Sequence, residues 1–205
     1  IIERISNKSL DQLSADALSR AEKGECVLWV RNTVNDAQET FRRLKADSNE
    51  GGPKLGLLHA RYPLWVRERL EDDWLNALGK KSANRPKGCV LVATQVVEQS
   101  VDIDADYMIT DLAPTDMLFQ RAGRLWRHQR PERRGNPKLT IHAGELTKEN
   151  KFDGTEEELL QRLGRSQRVY APYVLLKTFL NFLRGILRHI KIFQEIFEIQ
   201  KIYGS

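Results

Sequence analysis

"CVLVATQVVEQSVDIDADYMITDLAPTDMLFQRAGRLWRHQR", residues 89–130, holds two short apolar runs, a polar connection between them, and a helix-like segment that ends in arginines. The runs "CVLVAT" (89–94) and "YMIT" (107–110) are continuous rather than alternating, as expected of strands covered on both faces. Pro114, Thr115 and Asp116 open the helix that follows. Outward from this stretch the pattern repeats. "CVLWV" (26–30), "LGLLH" (55–59) and "KLTIH" (138–142) read as further strands. Leu10 to Lys23 has helical spacing, with Gly24 as its stop. Asn32, Thr33 or Asn35 caps a second helix running to about Lys45, and a third covers about Leu64 to Leu78.

Strands alternating with helices of about 10–15 residues predict an α/β fold, a parallel sheet with helices on both faces. Such sheets bind ligands outside the carboxyl ends of their strands. The loops after His59, Thr94 and Thr110 all leave from those ends. From about Gly144 to Gln167 the chain turns polar, and then becomes apolar, basic and helical. The expected organisation is therefore a domain over 1–145 and a linker with a helical C-terminal extension over 146–205.

The chain has 205 residues, 40% hydrophobic and 30% charged, which suits a water-soluble domain with a sizeable core. A formal net charge of +5 points mildly to a polyanionic partner. The excess is concentrated between Arg121 and Lys138, where Glu132 is the lone acid, so a local basic patch is expected. Cys26 and Cys89 each open an apolar run and read as buried strand thiols of a reducing, cytoplasmic compartment. Lys177, Arg184, Arg188 and Lys191 interrupt the apolar tail, which excludes a membrane span there. A chain that begins at Ile1 is expected to be a piece of something longer.

Arg121, Arg124 and Arg127 recur every third residue, with Gln120 before the first and Gly123 before the second. A solvated helix end favours cations, but that leaves Gln120 and Gly123 unexplained. Guanidinium groups stay ionised and grip phosphate through paired hydrogen bonds, and glycine permits close approach. Residues three apart share a helix face, so Arg124 and Arg127 are expected to point into one cleft. There they would neutralise charge developing during phosphoryl transfer to water. No phosphate loop accompanies them: Gly79-Lys80 is followed by Lys81, and Trp74 stands where the first glycine belongs. The arginines are thus expected to reach across a gap to nucleotide held by another domain.

The connection 90–106 admits three readings: a surface turn, a paired-carboxylate metal site lacking a third acid or histidine, or a loop that offers amides and hydroxyls to strand phosphates with an acid for a ribose hydroxyl. His59 is a packed residue or a phosphate contact, with Arg61 favouring the latter. Trp29, Trp65 and Trp74 read as core or helix-face residues. Trp126 packs, or stacks on a base or adenine. The phenylalanines of the tail, from Phe179 to Phe197, suggest a helix pair packed on the core or on a neighbour.

The order "VLVATQVVEQSVDID", "ITDLAP", "QRAGRLWRH" resembles motifs V and VI of superfamily 2 helicases, and most closely the CRISPR-associated helicase-nuclease of type I interference systems. "VLWVRNTVNDAQETFRRL" (27–44) is similar to that family's motif IV, and "LLHARYPLWVRERLE" (57–71) and "VYAPYVLLKTFL" (169–180) to later segments. The resemblance implies the second RecA-like domain of an ATP-dependent, Mg²⁺-requiring single-stranded DNA motor. Arg124 and Arg127 would be arginine fingers, Gln120 and Arg121 would order the motif helix and help couple nucleotide to DNA, Gly123 would lie close to the nucleotide, and Asp102 would sense the ribose or the domain gap. Asn32, Thr33, His59, Arg61, Thr94, Gln95 and Ser100 would lie along the tracking strand, and Asp111 would hold Arg121.

The partners so implied are a first RecA-like domain and a His-Asp nuclease domain of the same polypeptide, and a CRISPR RNA-guided surveillance complex. None of the four histidines is followed by Asp, so the nuclease is not in this chain, and Trp126 replaces the motif's usual glycine. Alternatives are an RNA helicase, a restriction-type translocase, or a nucleic-acid-binding adaptor with a degenerate motor fold.

Overall fold

All five expected runs lie in one parallel sheet, and a sixth strand joins them at the edge. The computed structural model describes residues 2–6, 8–82, 85–99, 102–133, 136–147 and 156–183. Its strands are β1 (Ile2–Ser6), β2 (Cys26–Val30), β3 (Lys54–Leu58), β4 (Cys89–Ala93), β5 (Tyr107–Asp111) and β6 (Lys138–His142). They are ordered β1-β6-β5-β2-β4-β3, and every neighbouring pair is parallel. The edge strand β1, "IERIS", went unread because Glu3 and Arg4 break its apolar run, and it pairs with β6 alone. The central strands β2 and β4 are buried at every position, which accounts for their continuous hydrophobicity. Cys26 and Cys89 face each other across them as buried free thiols.

The helices are α1 (Leu10–Glu22), α2 (Val34–Asp47), α3 (Leu64–Leu78), α4 (Val96–Gln99), α5 (Thr115–Ala122), α6 (Glu156–Leu163) and α7 (Pro172–Leu183). A capping box starts α1: Ser9 Oγ accepts the Gln12 N–H, and Gln12 Oε1 accepts the Ser9 N–H, together worth about 1 kcal/mol. Thr33 is the cap of α2, which resolves the three candidates. One face of the sheet packs Val27, Trp29, Val92 and Ile109 against Leu13 and Ala17 of α1 and Ala37 and Leu44 of α2. The other face packs Leu28, Leu91 and Met108 with Trp74 of α3, Leu118 of α5, and Leu175, Phe179 and Phe182 of α7. Leu146 and Leu163 join the same cluster, so the extension beyond 145 is docked in this core at both ends of its described part. Phe193 and Phe197 lie outside the described residues, as do Arg184 and Arg188. Among the described residues, no helix is long and apolar enough to cross a membrane.

Gly56 explains the break in "LGLLH". A Cβ built there would sit 2.0 Å from Cζ2 of the Trp74 ring, which closes directly over the strand. Lys54 covers the same ring, its Nζ 4.7 Å from the centroid. Gly56→Val should therefore destabilise the domain by about 1–3 kcal/mol, the usual range for overpacking a core. A urea titration would register this as a lower midpoint with unchanged slope.

Candidate functional site

Arg121, at the end of α5, has no exposed surface, and five hydrogen bonds fill its guanidinium. Nε donates to Glu98 Oε1 at 2.7 Å, Nη1 to Thr110 Oγ1 at 2.7 Å and to the Asp111 carbonyl at 3.2 Å. Nη2 donates to Asn32 Oδ1 at 3.1 Å and to the Tyr170 hydroxyl at 3.2 Å. One side chain thus ties together the carboxyl ends of β2 and β5, helix α4 and the C-terminal extension. The polar loop expected after Thr94 is instead this short helix, with Glu98 turned inward.

The expected Asp111–Arg121 pair is corrected. Asp111 shares the sheet face of Ile109, and there its carboxylate takes Arg31 Nε at 3.2 Å and the Asn32 N–H at 2.9 Å. His142 Nδ1 lies 3.5 Å from the same carboxylate. Burial pushes the Asp111 carboxyl up, but Arg31, His142 and the Asn32 N–H outweigh it and hold it below the usual carboxylate range. Alternation along β5 leaves Thr110 on the α5 side, so Arg121 reaches that hydroxyl and the Asp111 backbone only.

The shared helix face expected of Arg124 and Arg127 is also corrected. Helix α5 stops at Ala122, and Gly123 is its cap. The chain then runs beside Ala105: the Ala105 N–H donates to the Arg124 carbonyl and the Trp126 N–H to the Ala105 carbonyl, both at 2.9 Å. Trp126 has φ 50°, the one positive φ outside glycine among the described residues. That conformation is costly for a bulky residue, and it stands where the resembling motif carries glycine. The two arginines nevertheless lie within electrostatic reach of each other and of Asp102. Arg124 donates to the carbonyls of Val97 at 2.8 Å and Glu98 at 2.7 Å, and Arg127 pairs with Asp102. Burial first, and the Arg127 charge second, hold the Arg124 guanidinium below its usual range.

The acids of "DIDAD" absorb the arginine-rich stretch in turn. Asp104 is fully buried, accepts from the Arg127 N–H at 2.9 Å and Arg130 Nε at 2.7 Å, and forms an ion pair with Arg133 Nη2 at 2.8 Å. Asp106 takes Arg133 Nε at 2.6 Å, Arg85 Nη2 at 2.9 Å and the Cys26 N–H at 2.7 Å. The basic patch expected between Arg121 and Lys138 is thereby largely neutralised from within. Trp126 packs rather than projecting: its indole N–H donates to the Asp106 carbonyl at 2.9 Å, and Arg133 covers its ring.

The residues expected along a strand gather at the carboxyl ends, at different depths. A cleft of about 680 Å³ is lined by Asn32, Thr33, Asn35, Arg61, Gln95 and Tyr170, among others. Gln95 donates to the Asn32 carbonyl at 2.9 Å and the Tyr170 hydroxyl at 3.3 Å. Asn32 forms the floor, its amide spent on Arg121, the Leu112 carbonyl and Ser166. Thr33 is occupied capping α2, and Arg61 donates to Asn35 Oδ1 at 2.9 Å. His59 and Thr94 are each 2% exposed. The His59 ring stacks on Tyr62 at 4.1 Å, and burial lowers its pKa, so it sits neutral beneath the surface. Gln120 is exposed on α5, and Ser100 lies outside the described residues. Among the described residues no group of three or more His, Cys, Asp or Glu is placed to hold a metal.

Residues 23–130, which carry Arg121 with all its partners but Tyr170 and the Arg127–Asp102 pair, match the family described as CRISPR-associated nuclease/helicase Cas3, C-terminal. The chain belongs to the Cas3 family. It is 43% identical over 116 residues to the CRISPR-associated endonuclease/helicase Cas3 of Escherichia coli K12, covering 57% of this chain and 13% of that protein. The crystal structure of T. fusca Cas3 with ADP superposes with TM-score 0.72 at 31% identity, over 90% of this chain and 20% of that one. A chain of a CRISPR RNA-guided surveillance complex in a pre-nicking state matches with TM-score 0.69 at 28% identity, over 98% of this chain and 24% of that one. The chain thus spans about a quarter or less of each of these proteins' own length. Its sheet is the RecA-like α/β fold of the Cas3 helicase region.

Several residues of the site escaped the sequence reading: Glu98 as the partner of Arg121, Asp104 and Asp106 as anchors, Tyr170, and His128. His128 is buried, with Nε2 3.4 Å from Asp102 Oδ2. The alternating acids two apart, facing basic residues three apart, were the available signal. Arg121→Met would strand Glu98 as a buried unpaired charge and should cost about 3–5 kcal/mol in a urea titration. The double variant with Glu98→Leu should recover much of that loss.

Proposed function

We propose that this chain is the second RecA-like domain of an ATP-driven single-stranded DNA translocase acting in CRISPR interference. The observation that carries the reading is the convergence of Arg124 and Arg127 beside Asp102, one on backbone carbonyls and the other on a half-exposed carboxylate. ATP with its Mg²⁺ would be held mainly by a first RecA-like domain. That a Cas3 relative was crystallised with ADP supports nucleotide chemistry in this family. A His-Asp nuclease domain and a surveillance complex complete the set of partners.

Water would attack the γ-phosphate in line, and this chain's contribution is positive charge placed where the transition state accumulates negative charge. The two arginines differ in readiness. The Arg127–Asp102 pair is 34% and 45% exposed and so worth no more than about 1 kcal/mol; a phosphate displaces it at little cost. Arg124 must exchange two charge-assisted bonds to carbonyls, so it would move only as the domains close. Those carbonyls belong to α4, which also carries Glu98. Moving Arg124 therefore pulls on Glu98, Arg121 and Asn32, the floor of the strand cleft. This is a physical route from hydrolysis to stepping.

Two outcomes are expected. The chain alone shows no ATPase above background in a phosphate-release assay, and robust turnover by the pure chain would sink the proposal. In the intact helicase, Arg124→Ala lowers kcat on the order of a thousandfold or more and leaves strand affinity nearly intact. Equal loss of both would make Arg124 a structural residue.

A further inference from the structure

One wall of the carboxyl-end cleft comes from outside the helicase motifs. The turn Gly164–Arg168 and Tyr170 reach back from the C-terminal extension and are pinned at three places. Arg165 Nη1 bonds Asp36 at 2.7 Å and Glu39 at 3.2 Å on α2, and Ser166 Oγ accepts from Asn32 Nδ2 at 3.0 Å. The Tyr170 hydroxyl accepts from both Arg121 and Gln95. Two features of this wall remain unspent. Arg168 is exposed, lines the same cleft as Arg61, and has no hydrogen-bond or ion-pair partner among the described residues. Tyr170 also lines the cleft; its oxygen already accepts two bonds, so its own hydrogen is left to donate.

The charge of the cleft selects the ligand. Glu98 is the one acid lining it, and Arg121 neutralises that acid. Arg165 is matched by Asp36 and Glu39, whereas neither Arg61 nor Arg168 faces a carboxylate among the described residues. Two uncompensated guanidiniums and a phenol polarised by Arg121 suit a run of phosphodiesters. We infer that the C-terminal extension is part of the strand track, with Arg168 as a phosphate contact and the Tyr170 hydroxyl as a second donor to the same backbone. This rests on the translocase reading and extends it, because it makes the extension a working surface of the motor.

The test is fluorescence anisotropy of the chain with a fluorescein-labelled oligothymidylate across a salt series. Arg168→Ala should weaken binding and reduce the slope of log K against log salt by about 0.7, one phosphate's worth for a single strand. Arg168→Lys should keep that slope. Tyr170→Phe should weaken binding by about two- to tenfold, the worth of one neutral hydrogen bond, without changing the slope. Lys23→Ala, the same charge lost at the opposite end of the sheet, should match the unmutated chain.

If Arg61→Ala weakens binding while Arg168→Ala and Tyr170→Phe do not, the inference about the extension is overturned and the translocase reading stands. If the unmutated chain has no affinity for the strand even at the lowest salt, the cleft is not a track and both fall.

Discussion

The buried ion pair of Arg121 with Glu98 sets the position of everything around it. Taking both charges out of water costs more than a surface pair returns, so its value is not raw stability. What it enforces is geometry. Once the guanidinium is buried, each of its N–H groups must find an acceptor, and the acceptors come from the loop after β2, from β5, from α4 and from the extension. A shift in any of those elements leaves a polar group unsatisfied in a low-dielectric interior. The carboxyl-end cleft is therefore built around a network with few alternative arrangements.

The second organising feature is the match between "DIDAD" and the arginines that follow it. Asp102, Asp104 and Asp106 approach along an extended segment just before β5, while the arginine-bearing chain descends beside them through the Ala105–Leu125 bridge. Burial varies along the series. Asp104 is sealed, Asp106 is largely covered, and Asp102 is half exposed. The deep pairs anchor the segment and the shallow one can be exchanged. One run of alternating acids thus supplies both a fixed scaffold and a partly solvated arginine pair, and the positive φ of Trp126 turns the chain between them.

Much of the architecture was legible from residue order. Five strands and the helices between them could be placed because buried parallel strands are continuous apolar runs and their connecting helices are amphipathic. The edge strand β1 was not legible, since a strand paired on one side tolerates Glu3 and Arg4. The short helix α4 was not legible either: four residues have no period, and Glu98 faces inward only because Arg121 waits there. Tyr170 enters the site from 49 residues beyond Arg121, a separation that no local pattern reports.

Sequence alone determined the fold class and the family, because buried parallel strands and ordered motifs each leave a composition that reads locally. Tertiary structure alone decided which charges are spent and which are free. The arginines from 121 to 133 look alike in the sequence, yet one is buried in a network, others are sealed against Asp104 and Asp106, and one rests on a half-exposed acid. An arginine's availability depends on the partner within hydrogen-bond reach and on how much water reaches the pair. Both follow from the packing of segments far apart in the chain.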